Sequence, residues 1–334
     1  MHQHQCVSWR IIFNMKEYKT IKELIALMQA RGLELDRPEK EVREVLEGIN
    51  YYRLTGYALP FLSNREQFKL GAKFSEVMAI YDFDRTVRDK FAKALEVIEL
   101  TFRTFFAREL GKATGALGYR DYENYTSLEA YNSAMQQIHA DYEQSNERCA
   151  HHFRQQGEHP PVWAIVEVAS FGHLSRLFNA LKPELRQPIA NLYGFTGSRF
   201  FASILHHLCV LRNRCAHHSR IYDLPWGQRD ETKDESTDPE EANRRQQLYK
   251  FPELNEWRDL KRRGFRIENR RPLFYQAALI YRVLKMTPKA AFDYETWKRD
   301  TADLFQCAIS LKVCGSSIAE LLGIPPNPLT SPLW

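Results

Sequence analysis

Within Leu211-Arg212-Asn213-Arg214-Cys215-Ala216-His217-His218-Ser219-Arg220-Ile221-Tyr222-Asp223, an arginine, an amide and a histidine fall together. A guanidinium can neutralise the charge that builds around phosphorus during phosphoryl transfer, and an imidazole titrating near neutrality can move the proton of a ribose hydroxyl. That is the equipment for cutting RNA without a metal ion. Arg212, Asn213 and His217 are the candidate catalytic residues, and His218, Arg214, Arg220 and Tyr222 flank them as supporting or RNA-binding candidates.

The bare spacing carries little by itself, because thirty arginines and eleven histidines in 334 residues give about one Arg-x-x-x-x-His by chance. The chain has two. Arg154-Gln155-Gln156-Gly157-Glu158-His159 runs through a glycine into Pro160-Pro161, so it falls beside a turn where no helix fixes both side chains. The Arg212 copy closes an amphipathic run from Ser198, in which Phe201, Ile204, Leu205, Leu208 and Leu211 recur at spacings of three and four. On such a helix Asn213 and His217 share a face, and Arg212, one position round, reaches the same groove through its long side chain.

The elements that must hold this helix end are helical nearly throughout. One helix begins at Thr20 and stops before Gly32, and a second starts from Asp36 with Pro38 in its first turn. Residues 49–57, with Tyr51, Tyr52, Arg53 and Tyr57, read as an aromatic lock of the N-terminal segment onto the core, in preference to an RNA-stacking platform. From 75 to 110 the apolar period of Val77, Ile80, Val87, Phe91, Leu95, Ile98 and Phe102 gives a core hairpin or one long helix. Glu96, Glu99 and Arg103 lie on that stretch at spacings of three and four; such sets pair with one another, and one carboxylate is also a candidate to orient the site arginine. Thr126-Ser127-Leu128-Glu129 has the form of a capping box, and Gly172 would let another backbone approach closely. The region from 273 to 322 returns to helical period, and the tail from Gly323 is proline-rich and extended.

With 44% hydrophobic and 13% aromatic residues the chain can fill a core, and no disorder-dominated reading is needed. Its six cysteines form no Cys-x-x-Cys pair, which points to reduced thiols and a cytoplasmic setting, with Cys215 in packing. No apolar run has the length of a signal peptide or a membrane span, and Met15 is a candidate natural start. His206-His207 and His217-His218 are too far apart along a helix to share one ion, so neither a metal nor a cofactor is expected; His206 and His207 read as interfacial or partly buried polar residues. The net charge of +5 is too mild for a general nucleic-acid coat, so an RNA site must come from local clusters. Three qualify: Arg212-Arg214-Arg220, Arg85-Arg88, and the run 261–271, which reads as a solvated helix face before it reads as a phosphate contact.

Arg212-Asn213-Arg214-Cys215-Ala216-His217-His218-x-Arg220 closely resembles the signature of bacterial abortive-infection proteins of the AbiD/AbiF type, which belong to the HEPN superfamily. Ile49-Asn50-Tyr51-Tyr52-Arg53-Leu54-Thr55-Gly56-Tyr57, Ser170-Phe171-Gly172-His173-Leu174-Ser175 and the closing Gly323-Ile324-Pro325-Pro326-Asn327-Pro328 fit the same family. The resemblance implies an all-α fold: a HEPN-like helical bundle with additional N- and C-terminal helices. It also implies an RNase or RNA-binding role in phage defence, with Arg212, Asn213 and His217 in the Arg-Asn-x-x-x-His positions; Glu99 and Arg103 enter as supporting candidates through their helical spacing alone. The expected organisation is an N-terminal extension over 1–15, a helical segment over 16–70 packed on the core, and a HEPN-like domain over 71–334 with a polar loop near 228–246. RNA is the expected partner, together with a second copy of the chain and a restraining small RNA or protein antitoxin, and no membrane. The rival reading is a non-catalytic RNA-binding or regulatory helical protein of a defence or toxin–antitoxin system that grips phosphate with the same residues.

Overall fold

The structure is a computed structural model and describes residues 17–64, 66–222, 273–332 and 334. The expected extension over 1–15, the polar loop near 228–246 and the basic run 261–271 lie outside the described residues. Helices supply nearly all the regular structure, and one two-stranded hairpin is the sole sheet among the described residues, so the chain is all-α as its periodicity implies. It divides into two compact units, Met1–Asp82 with Leu311–Ser317, and Phe83–Ser310 with Ile318–Trp334.

In the first unit Thr20 caps helix α1 (Ile21–Ala30). Its hydroxyl accepts from the Glu23 N–H while the Glu23 carboxylate accepts from the Thr20 N–H at 2.7 Å, which satisfies two donors that the helix leaves orphaned. Helix α2 (Glu39–Gly48) follows Pro38, later than the expected start at Asp36. Asp36 serves a different helix: it accepts from the Ser75 N–H at 2.9 Å and from the Ser75 hydroxyl, anchoring the first turn of α4 (Phe74–Thr114). Helix α3 (Tyr51–Ala58) is capped by Asn50 and divides its tyrosines. Tyr57 is buried edge-on against Tyr81, whereas Tyr52 is 69% exposed. The hairpin pairs Lys312–Val313 with Ser316–Ser317 across Cys314 and Gly315, both at positive φ, which suits a two-residue turn. Helical periodicity does not foresee it.

In the second unit α4 continues without a break, so the stretch from 75 to 110 belongs to one helix of 41 residues and not to a hairpin. Its Phe102 and Phe106 meet Phe178 of α8 (Phe171–Ala180), and Phe102 and Phe178 both meet Phe201 of α10 (Ser198–Ala216), mostly in edge-to-face or tilted contact at centroid distances of 5.6 to 6.5 Å. Helix α5 (Leu128–Gln144) packs on α8, and α9 (Pro183–Leu192) packs on α10. Ser127, not Thr126, caps α5: its hydroxyl accepts from the Ala130 N–H at 3.1 Å, and Thr126 hydrogen-bonds the Ala180 carbonyl instead. Gly172 sits where α8 meets α10, but a methyl group there would touch Cys209 Sγ at 3.7 Å, ordinary van der Waals contact, so close backbone approach does not require the glycine. The tail is turned and not extended. Trp334 contacts Phe274 at 5.1 Å, Tyr281 and Trp297, and its indole N–H donates to the Pro328 carbonyl. Packing a half-buried, hydrogen-bonded indole against these rings stabilises the bends that the prolines begin. No helix among the described residues is long and apolar enough to cross a membrane.

Candidate active site

Helix α10 carries the motif because its apolar stripe is buried as the period requires: Phe201, Ile204, Leu205, Leu208 and Leu211 lie in the core. Cys209 and Cys215 are buried on the same helix, and burial pushes their thiols up to about 11 and about 12, so neither ionises near neutrality and both serve packing. His207 is buried, and desolvation lowers its imidazole to about 3; His206 is partly buried, and desolvation followed by the charge of Arg176 lowers it too.

The helix ends in a Schellman motif. His218 N–H donates to the Cys215 carbonyl at 3.1 Å and Ser219 N–H to the Arg214 carbonyl at 2.8 Å, which places His218 in the left-handed position at φ 55°. Glycine is usual there, because a side chain in that conformation is strained. His217 and His218 are both exposed at the tip.

Arg212 is fixed from across the bundle. Glu99 Oε2 on α4 lies 2.9 Å from Arg212 Nε in an ion pair, while Oε1 of the same carboxylate takes Arg103. Arg103 also donates to the carbonyls of Val166 and Ala169, at the C-terminal end of α7 (Val162–Val168). Two guanidiniums share one carboxylate, so the trio holds one net positive charge. Glu99 and Arg103 are buried and the Arg212 side chain is 39% exposed, so that charge reaches solvent at Arg212. Arg212 Nη1 donates to Asn213 Oδ1 at 3.2 Å. Glu96 is exposed and stands outside this network.

The structure therefore brings together Arg212, Asn213, Glu99 and Arg103. It does not join His217 to them by its side chain: the imidazole makes no hydrogen bond or ion pair among the described residues, and the link between Asn213 and His217 is the backbone bond from His217 N–H to the Asn213 carbonyl at 2.9 Å. Tyr222 has no exposed surface, so it offers no face for a base; the Arg220 guanidinium lies 5.8 Å from its ring centroid.

One residue of this region escapes the sequence pattern. Asp84, fully buried on α4, accepts the N–H groups of Ile221 at 3.0 Å and Tyr222 at 2.7 Å through Oδ1 and pairs with Arg88 through Oδ2. It pins the segment that leaves the motif. Arg88, part of one of the basic clusters that qualify as an RNA site by sequence, is buried in this pair and cannot meet a phosphate; Arg85 is exposed. The spacing of four between Asp84 and Arg88 is the only sequence signal of this latch. The other Arg-x-x-x-x-His is of a different kind: Arg154 lies on α6 (Arg148–Gln156) and spends its guanidinium on the carbonyls of Tyr142 and Ser145, with His159 beyond the helix end.

Among the described residues no three His, Cys, Asp or Glu side chains gather in a group that could hold a metal ion. A family model described as Abi-like protein matches residues 44–223, more than half of the chain and all of the site. No curated protein and no solved structure matches.

Proposed function

The chain belongs to the Abi-like protein family, which points to abortive infection and phage defence, and on that premise we propose that it is an endoribonuclease acting at Arg212, Asn213 and His217 without a metal. The observation that carries this reading is Arg212 itself, a half-exposed guanidinium held in place by a buried carboxylate at 2.9 Å, one helical turn from an exposed histidine. A surface arginine meant only for solubility needs no such anchor.

In the reaction the ribose 2′-oxygen attacks its own phosphodiester. The 2′-O–P bond forms, the P–O5′ bond breaks, and a 2′,3′-cyclic phosphate and a 5′-hydroxyl remain. His217 takes the 2′ proton or delivers one to O5′, and Arg212 binds the non-bridging oxygens, with Asn213 turned toward the same phosphate by its bond to Arg212. Glu99 is the positioning residue, and Arg103 balances its charge. Moving protons on both sides of phosphorus takes two groups, so a second copy of the chain or His218 supplies the other. The test is incubation of the purified protein with total RNA in EDTA, with analysis of the product ends. Cyclic phosphate ends support the reading, and intact RNA overturns it.

That the His217 imidazole makes no hydrogen bond among the described residues favours a second reading, in which the chain binds RNA through Arg212, Arg214 and Arg220 without cutting it. In that case Arg212→Ala weakens RNA retention, and no cleavage exists to be lost.

A further inference from the structure

The Arg-x-x-x-x-His that does not belong to the site opens onto a cavity. Arg154 and His159 line a space of about 540 Å³ between α5, α6 and the residues around Tyr119, all within the second unit. That volume falls in the range that takes a single small ligand. Its walls are aromatic: Tyr131 and Tyr142 come from one face of α5, Tyr119 from the segment before it, and Phe153 from α6. Tyr142 is buried and its hydroxyl has no hydrogen-bond partner among the described residues.

Arg154 is held rigidly in this wall. Nη1 donates to the Tyr142 carbonyl and Nη2 to the Ser145 carbonyl at 2.7 Å, and the guanidinium lies 5.3 Å from the Tyr142 ring centroid. Those bonds occupy two of its five donors, and both acceptors are neutral. No carboxylate pairs with it among the described residues. Arg120 adds a second, exposed cation on the lining. The lining carboxylates are exposed: Glu143 lies 3.7 Å from His139, and Glu158 follows the α6 end.

We propose that this cavity binds a free nucleoside monophosphate, with its base against the tyrosine rings and its phosphate on Arg154 and Arg120. A planar base suits flat aromatic walls, and a phosphate suits a fixed guanidinium with donors to spare. Glu143 and Glu158 are placed to accept from the exocyclic amino group of a base. The proposal goes beyond the ribonuclease reading and does not depend on it, because a monophosphate has no phosphodiester to cut.

Titration calorimetry of the full-length protein with AMP, GMP, CMP and UMP tests it. At least one should bind at one site per chain with a dissociation constant below about 100 µM, and the matching nucleoside should bind about tenfold more weakly. Met135→Trp fills the space, and Arg120→Gln removes an exposed cation without touching the core; each should weaken binding about tenfold or more. Arg154 is left unaltered, since its bonds to two carbonyls also hold the fold. Arg212→Ala should leave nucleotide affinity unchanged. The proposal is overturned if no monophosphate binds at about 1 mM, if an RNA oligonucleotide binds where monophosphates do not, or if Arg212→Ala abolishes binding. Unchanged affinity in Arg120→Gln overturns it too, even if Met135→Trp fails to fold.

Discussion

Glu99 and Arg212 meet in an ion pair with Oε2 2.9 Å from Nε, linking the middle of the long helix α4 to the end of α10. The carboxylate is buried and its other oxygen holds the buried Arg103, so it cannot leave without stranding that guanidinium in the core. Glu99→Ala should therefore destabilise the fold by roughly 3–5 kcal/mol, read by denaturant unfolding. Glu99→Gln keeps the shape but not the charge. Under conditions where that variant is folded, RNA cleavage should fall at least about tenfold, because Arg212 loses its anchor. Full activity in a folded Glu99→Gln protein would remove Glu99 from the positioning role.

Cleavage chemistry gives a second expectation. Activity on RNA should persist in EDTA and leave 2′,3′-cyclic phosphate ends, and a single deoxyribose at the cleaved nucleotide should stop it, since the nucleophile is gone. Strict dependence on added magnesium would refute the proposed proton transfers.

For His217 the expectation is cellular. Induced expression should arrest growth and His217→Ala should relieve the arrest. Because the side chain is exposed and makes no hydrogen bond among the described residues, the substitution should change stability by no more than about 0.5 kcal/mol. An equally toxic variant at equal abundance would point to the binding reading instead.

Substitution at His218 tells whether the proposed second proton-transfer group is His218 or comes from a second copy of the chain. His218→Gly removes side-chain strain at φ 55° and should raise stability by up to about 1 kcal/mol, measured by thermal unfolding. If cleavage survives that change, the second group comes from a partner copy, and a mixed dimer of Arg212→Ala and His217→Ala chains should regain activity. Light scattering that shows only monomer during cleavage would rule the partner out.

Acid should weaken the fold through His207. Its folded-state imidazole is lowered to about 3 by burial, below its ordinary value of 6.5, so between these values the unfolded chain binds the extra proton and stability falls as pH falls. Urea unfolding midpoints should drop from pH 6.5 toward pH 4, and His207→Leu should flatten that slope. An unchanged slope in the variant would assign the acid sensitivity to other groups.

The sequence by itself determined the helices and the motif. Phe201, Ile204, Leu205, Leu208 and Leu211 repeat with the helical period, and that period alone dictates which face of α10 is buried and that Arg212, Asn213 and His217 share its last turns. Local chemistry was legible at Thr20 and less so at Asp36 and Thr126, because a short polar side chain can cap its own helix, a neighbouring one or a distant carbonyl, and only the packed chain decides among them. The identity of the carboxylate that holds Arg212 was decided by tertiary structure: the spacing of Glu96, Glu99 and Arg103 pairs residues along one helix but says nothing about which of them turns toward another. Asp84 shows the same limit more sharply. Its partners are backbone N–H groups of Ile221 and Tyr222, which every sequence possesses, so nothing in the order of residues marks them, and only the folding of α4 against the motif makes that carboxylate their acceptor.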